Sequence, residues 1–168
     1  QSLDDVEIII VDDGSTDSAT LAFLDALPSD VRLVRQENQG LPGARNAGFS
    51  AARGAYVVPL DCDDWLAPDF LAKTLAPLVA NPDAGFAFAH LALEGDASGV
   101  LAKNYNFFEQ LFLNQLPYCL LMRKDVWRAA GGYDTSMTHG YEDWEFNIRL
   151  GGAGRLGVVV PEPLFHYR

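Results

Sequence analysis

The chain has 168 residues, 49% of them hydrophobic, and a formal net charge of −11. That length suits one domain with a substantial core, and that hydrophobic fraction excludes disorder. So acidic a balance argues against nucleic acid, which wants a basic face, and makes a bare phosphate ligand awkward without an intervening cation.

In chain order the patterning predicts a strand over 6–11, a helix over 17–27, a strand over 31–35 and a helix over 42–53. A strand over 55–60, a helix over 68–80 and a strand over 85–93 follow. Residues 96–102 read as a loop, and 105–115 carry aromatic residues at helical spacing. A strand over 118–123, a short helix over 124–130 broken by Gly131-Gly132, a helix over 142–150 and a strand over 156–160 complete the chain. Strands alternating with helices argue for an α/β fold whose mostly parallel sheet is covered on both faces. No apolar run reaches membrane-spanning length, no signal-peptide pattern opens these residues, and Cys62 and Cys119 lack metal-site spacing. A reduced, cytoplasmic protein is expected.

Leu60-Asp61-Cys62-Asp63-Asp64-Trp65 packs three carboxylates after an apolar run. On an extended backbone Asp61 and Asp63 would share one side, because strand side chains repeat every two residues. Two like charges so placed favour a divalent cation, and Mg²⁺ or Mn²⁺ held this way also grips substrate phosphates. A solvated turn remains the alternative, since Asp is a common turn residue. A second cluster, Asp12-Asp13-Gly14-Ser15-Thr16-Asp17, ends the run Glu7–Val11. Ligands of parallel sheets bind outside the carboxyl ends of the strands, so both clusters are expected on one rim.

Asn38–Gly48 is a glycine-bearing loop entering a helix, where backbone amides and Arg45 could approach phosphate. It matches neither common phosphate-loop pattern and reads equally as a plain loop with Arg45 exposed. Glu142 and Asp143 open a helix between glycine and aromatic residues. They either complement the helix dipole or supply a general base for an attacking hydroxyl, with the aromatics as a platform for a sugar's apolar face. His90, within an apolar strand, reads as a satisfied core residue and His139 as a loop residue. His166 is either a metal ligand or an exposed residue.

Five ordered motifs together resemble a family 2 glycosyltransferase: Glu7–Asp17, Asn38–Gly48, Leu60–Asp64 with Pro68 following, Gly131–Asp134 and Gly140–Trp144. The resemblance implies a GT-A fold, a Rossmann-like three-layer α/β/α arrangement with a mixed, mostly parallel sheet. Residues 1–95 would form its nucleotide-binding part and 96–168 its acceptor and catalytic part, in one domain. It implies that Asp13, with Asp12 beside it, contacts the nucleobase or ribose, and that Arg45 lies near the nucleotide. Asp63 would be the more direct metal ligand and Asp61 would lie closer to the ribose or donor sugar. Asp143 matches the catalytic base with Glu142 as its partner, and His166 matches a late metal or phosphate contact. The implied partners are a nucleotide-diphosphate sugar donor and a hydroxyl-bearing glycan or lipid acceptor. The implied reaction is metal-dependent transfer with inversion.

The resemblance departs at the start. Relatives open with a further βα unit, on the order of 30 residues, and here the sequence resembles the chain just after that unit. The expectation is that the strand at 6–11 lacks the partner strand that unit would supply, leaving backbone groups of Ile8 to Val11 unpaired on that edge, which could self-associate. Rival readings are a nucleotidyltransferase on a similar fold, a phospho-receiver and a catalytically incomplete nucleotide-sugar-binding fragment. The first would want a basic glycine-rich loop and the second a late lysine at a strand end, and neither is visible.

Overall fold

A computed structural model describes residues 1–168. Eight strands and six helices follow one another along it. They are β1 Ile8–Asp12, α1 Ser18–Asp25, β2 Val31–Arg35, α2 Gly40–Ala51, β3 Tyr56–Val57, β4 Trp65–Leu66 and α3 Phe70–Ala80. Then come β5 Ala84–Leu93, β6 Gly99–Leu101, α4 Phe107–Gln110, β7 Leu121–Arg123, α5 Lys124–Ala129, α6 Glu142–Gly152 and β8 Leu156–Tyr167.

The strands form two sheets. β1 and β2 pair in parallel on their own, and β1 has no strand on its other edge. The main sheet runs β3-β7-β5-β8-β4, with β6 on the end of β5. Only β5–β8 is parallel there, while β3–β7, β5–β7, β4–β8 and β5–β6 are antiparallel. The sheet is mixed: β4 follows β3 through the 58–64 segment, and β7 follows α4 through the irregular segment 111–120.

β5 divides the core. Its side chains alternate between the two faces of the sheet, as strand geometry requires. Phe86 and Phe88 join Phe49, Met122, Trp127, Phe146 and Leu150 on the side of α2, α5 and α6. Ala87, Ala89 and Leu91 join Phe70, Leu78, Leu121 and Phe165 on the side of α3. Both faces are thus covered, giving three layers. No helix is long and apolar enough to cross a membrane.

Helix boundaries have local causes. The Asp17 side chain accepts from Thr20 N at 2.8 Å and caps α1. Asn106 does the same for α4 through Phe108 N at 2.9 Å, and that helix stops after one turn. The helical spacing expected over 105–115 therefore yields only residues 107–110. α6 carries Glu142, Asp143 and Glu145 in its first turn and Arg149 in its last, matching the helix dipole at both ends.

Three other differences from the sequence-based expectation bear on function. The strand expected over 55–60 ends at Val57, and Pro59, which cannot donate to a ladder, follows in irregular backbone. The strand expected over 156–160 continues to Tyr167 through register shifts opposite His90. The loop expected over 96–102 contains the short strand β6.

Candidate active site

The acid string after β3 is a turn rather than an extended strand. Asp64 N donates to Asp61 O at 3.2 Å, closing residues 61–64. Asp61 and Asp63 accordingly do not share a strand face. Asp64 is buried and held at both oxygens: Tyr118 Oη donates to one at 2.5 Å and Arg168 N to the other at 2.8 Å. Tyr118 Oη also accepts from Asp61 N at 3.0 Å, so one phenol clamps both ends of the turn. Burial and the Asp64 bond push the Tyr118 hydroxyl far above its ordinary pKa, keeping it a proton donor. Asp63 points outward and exposed, with no side-chain partner.

Arg45 connects this turn to α6. It projects from the middle of α2 and is itself buried. Its Nη1 donates to Glu142 Oε1 at 2.7 Å, and its Nη2 to Asp61 at 3.1 and 3.2 Å. The guanidinium also lies 4.8 Å from the Tyr118 ring centre and 5.7 Å from that of Tyr133. Burial alone would favour the neutral form, but Asp61, Tyr133 and Glu142 outweigh it and raise the Arg45 pKa. Arg45 is thus neither an exposed loop residue nor a free cation.

Asn46, the next residue, fixes the other side. Its Oδ1 accepts from Tyr133 N and its Nδ2 donates to Tyr133 O, both at 2.8 Å. Gly132 makes room for this clasp: it has φ +75°, and a Cβ there would lie 2.7 Å from Asn46 Oδ1.

Glu142 and Asp143 have different surroundings. Glu142 is buried on Arg45. Asp143 is half-buried, with Oδ1 accepting from Trp144 N at 2.8 Å and Oδ2 from Asn114 Nδ2 at 3.2 Å. Lys103, its pKa lowered by burial and partly restored by the Asp143 charge, lies on the same side.

The first acid cluster lies at the end of β1. Asp12 is buried, accepts from Ser15 N at 2.9 Å and has Arg35 Nε 3.5 Å away; the Ser15 amide leads in lowering its pKa. Asp13 Oδ1 accepts from Gln36 Nε2 at 2.7 Å and from Gln39 N at 2.9 Å. It is tied to the start of the segment that carries Arg45, which links the two acidic clusters through α2.

His166 lies in β8, opposite Trp65 in the β4 register. Its ring stacks on Trp65 at 5.2 Å and its Nδ1 is 3.0 Å from Glu94 Oε1. No three His, Cys, Asp or Glu side chains gather as a cation cage. The residues present fit a hard cation only in the manner usual for Mg²⁺, through one or two carboxylates completed by substrate phosphates. Asp63, outward and unpaired, fits that part. His90 behaves as a satisfied residue, its Nδ1 accepting from Lys103 N at 3.1 Å. His139 lies in a turn beside Thr138.

Sequence reasoning named the acids and Arg45 but missed Asn46, Tyr118, Tyr133, Lys103 and Asn114. Asn46 and Tyr133 stood inside the recognised motifs. Tyr118 and Asn114 carried no local signal, since their roles come from contacts far along the chain.

A layered α/β domain thus joins an acid turn after β3 to the acids that open α6 through one buried arginine. The family model for glycosyl transferase family 2 matches residues 1–130, and the chain belongs to that family. EpsH of Bacillus subtilis (strain 168), which carries a glycosyltransferase name, is 30% identical over 187 residues, taking in 100% of this chain and 54% of EpsH. A chondroitin synthase of Escherichia coli is 30% identical over 164 residues, 92% of this chain and 23% of its own. Among solved structures, S. aureus TarS 1–349 superposes with a TM-score of 0.69 at 16% identity, covering 95% of this chain and 50% of TarS. That likeness gives the fold, which is GT-A. The chain spans about half or less of the length of these proteins.

Proposed function

We propose that this domain transfers a sugar, with inversion, from a nucleotide-diphosphate sugar to an acceptor hydroxyl, with Asp143 as base. The observation that carries the reading is the Arg45 bridge. By pairing with Asp61 and Glu142 it seats the acid turn and the first turn of α6 against one another, and with Asp64 held by Tyr118 it leaves Asp63 in the turn and Asp143 on the helix outside any ion pair. Asp12 and Asp13 line the nucleoside end, and Asp61 lies toward the ribose or donor sugar.

In this reading Asp143 takes the proton as the acceptor oxygen attacks the anomeric carbon. The new C–O bond forms opposite the bond that breaks, and the nucleoside diphosphate leaves with that bonding pair. No covalent enzyme intermediate forms. Glu142, buried on Arg45, positions the helix and is not free to act as base. Asp63, with Asp61 beside it, would hold a divalent cation, Mn²⁺ or Mg²⁺, which supplies charge neutralisation to the departing diphosphate. His166, stacked on Trp65 with Nδ1 at Glu94, would turn its other ring nitrogen to the cation or a phosphate.

A thermal-shift screen of UDP, GDP and dTDP, each with and without Mn²⁺, tests the reading. Nucleotide and Mn²⁺ together should stabilise more than either alone, and the bound pair at about 100 times its dissociation constant should add roughly 2.7 kcal/mol over the unliganded protein. Asp63→Ala should remove the Mn²⁺-dependent part. An unchanged metal response in that variant overturns the assignment.

A further inference from the structure

Next to Asp143, α6 and the segment after α4 enclose a groove of about 280 Å³ lined by Leu111, Met137, Tyr141, Trp144, Glu145 and Ile148. Tyr141, Trp144, Glu145 and Ile148 recur at the spacing of one helical face. That face is not packed into the core. It is open, while Phe108, Phe112 and Leu113, exposed at 70, 70 and 66%, lie outside its lining.

The polar atoms of the groove are already used. Both Glu145 oxygens accept from Arg149, at 2.5 and 2.8 Å. The indole Nε1 of Trp144 donates to Gln110 O at 2.6 Å, leaving only the apolar ring for the groove. The Tyr141 hydroxyl is the one polar group left. A site that selects a saccharide ring by its hydroxyls needs several converging donors and acceptors, since an unmatched polar group discriminates strongly. This groove offers the reverse.

Tyr141 adds an independent observation. It is the one non-glycine residue at positive φ, +66°, where an aromatic side chain is strained. The strain buys no burial: the ring is 67% exposed, 5.9 Å from Trp144 and tilted 60° to it. The backbone holds that ring at the groove mouth. The groove also meets the reaction side directly, since Asn114, three residues beyond Leu111, donates to Asp143.

We infer that the groove takes the apolar segment of an amphiphilic acceptor, one whose reacting hydroxyl is joined to a hydrocarbon or aryl portion. The inference rests on the glycosyl-transfer reading for the acceptor role of its ligand. Asp143 receives the hydroxyl end and the Tyr141–Trp144 face receives the apolar end, so acceptor choice is set by hydrophobic contact.

Calorimetric titration with methyl, hexyl and octyl β-glucosides, each below its micelle concentration, tests this. Affinity should rise with chain length by up to about fourfold per methylene. Met137→Ser and Ile148→Ser should each flatten the series, whereas Phe112→Ser, outside the groove, should leave its slope. Equal affinity for methyl and octyl glucoside, or a slope that only Phe112→Ser flattens, overturns the groove assignment. A flat series beside intact Mn²⁺-nucleotide stabilisation rejects the groove alone and leaves the transfer reading standing. A steep series without nucleotide stabilisation rejects the acceptor role, because the groove would then serve no transfer.

Discussion

Arg45 and Glu142, 97 residues apart in the chain, form a buried ion pair at 2.7 Å. With both side chains almost fully removed from water, neither charge can be left alone without a large desolvation penalty. Glu142→Ala leaves Arg45 with Asp61 alone, so unfolding free energy in urea titration should fall, by less than the about 3–5 kcal/mol of a wholly unpaired buried charge. Glu142→Gln, which keeps a hydrogen-bond acceptor, should lose less. Equal stability of the alanine variant and the parent would mean that the pair is not formed in solution.

Asp143→Asn separates binding from chemistry. The amide keeps the shape and can still accept from Asn114, so nucleotide-diphosphate binding should hold while sugar transfer falls by about 10²–10⁴-fold, the scale of general-base catalysis. Glu142→Gln distinguishes the two acids: it should lower stability along with activity, whereas Asp143→Asn should spare stability. Transfer at the parent rate in Asp143→Asn would remove it as the base.

Gly132→Ala should disrupt the Asn46–Tyr133 clasp. The new methyl would meet Asn46 Oδ1 at 2.7 Å on a backbone with φ +75°. Alanine at such an angle destabilises by more than about 1 kcal/mol. Asn46→Ala should be similarly costly, and the double variant should lose less than the sum of the two, because both act on one contact. Strict additivity would separate the glycine from the clasp.

Acid should weaken the fold through Asp12 and Asp17, whose pKa values are lowered by the Ser15 and Thr20 amides respectively. A folded pKa below the unfolded one contributes stability that is full above the unfolded value, near ~4, and is lost as pH falls through the folded value. Thermal midpoints should therefore drop below about pH 4. Asp12→Asn should show a lower midpoint at neutral pH and a shallower drop in acid. An unaltered acid slope in that variant would show that Asp12 keeps its ordinary pKa.

How much of this was legible in the sequence depends on the range of the interaction. β2, predicted over 31–35, is found over those residues, because its pattern and flanking turns are local. The run from 55 to 60 misled, since its apolar character comes from packing beside β7 and not from a continuing ladder. The acids could be named from motif spacing, but their division of labour could not. Asp63 differs from Asp64 because Tyr118, 54 residues from Asp64, reaches back to hold the latter. Arg45 was readable as a cation near a loop, yet its two carboxylate partners depend on how α2 meets α6. The groove was half legible: aromatic residues around Glu142 and Asp143 were evident, but α4 stopping after one turn, which opens that face, was not.

The anchoring of Asp64 by Tyr118 Oη and Arg168 N has one more consequence. An acid turn held at its last residue arrives already shaped, so a ligand meeting Asp63 need not first order a mobile loop. Affinity lost to ordering is avoided in such preformed sites. Loosening the clamp with Tyr118→Phe should therefore show itself calorimetrically as a larger entropic penalty on engagement, with the arriving partner's own contacts unchanged. The most deeply sequestered carboxylate of the string acts as a template, and its solvent-facing neighbour is what that template presents.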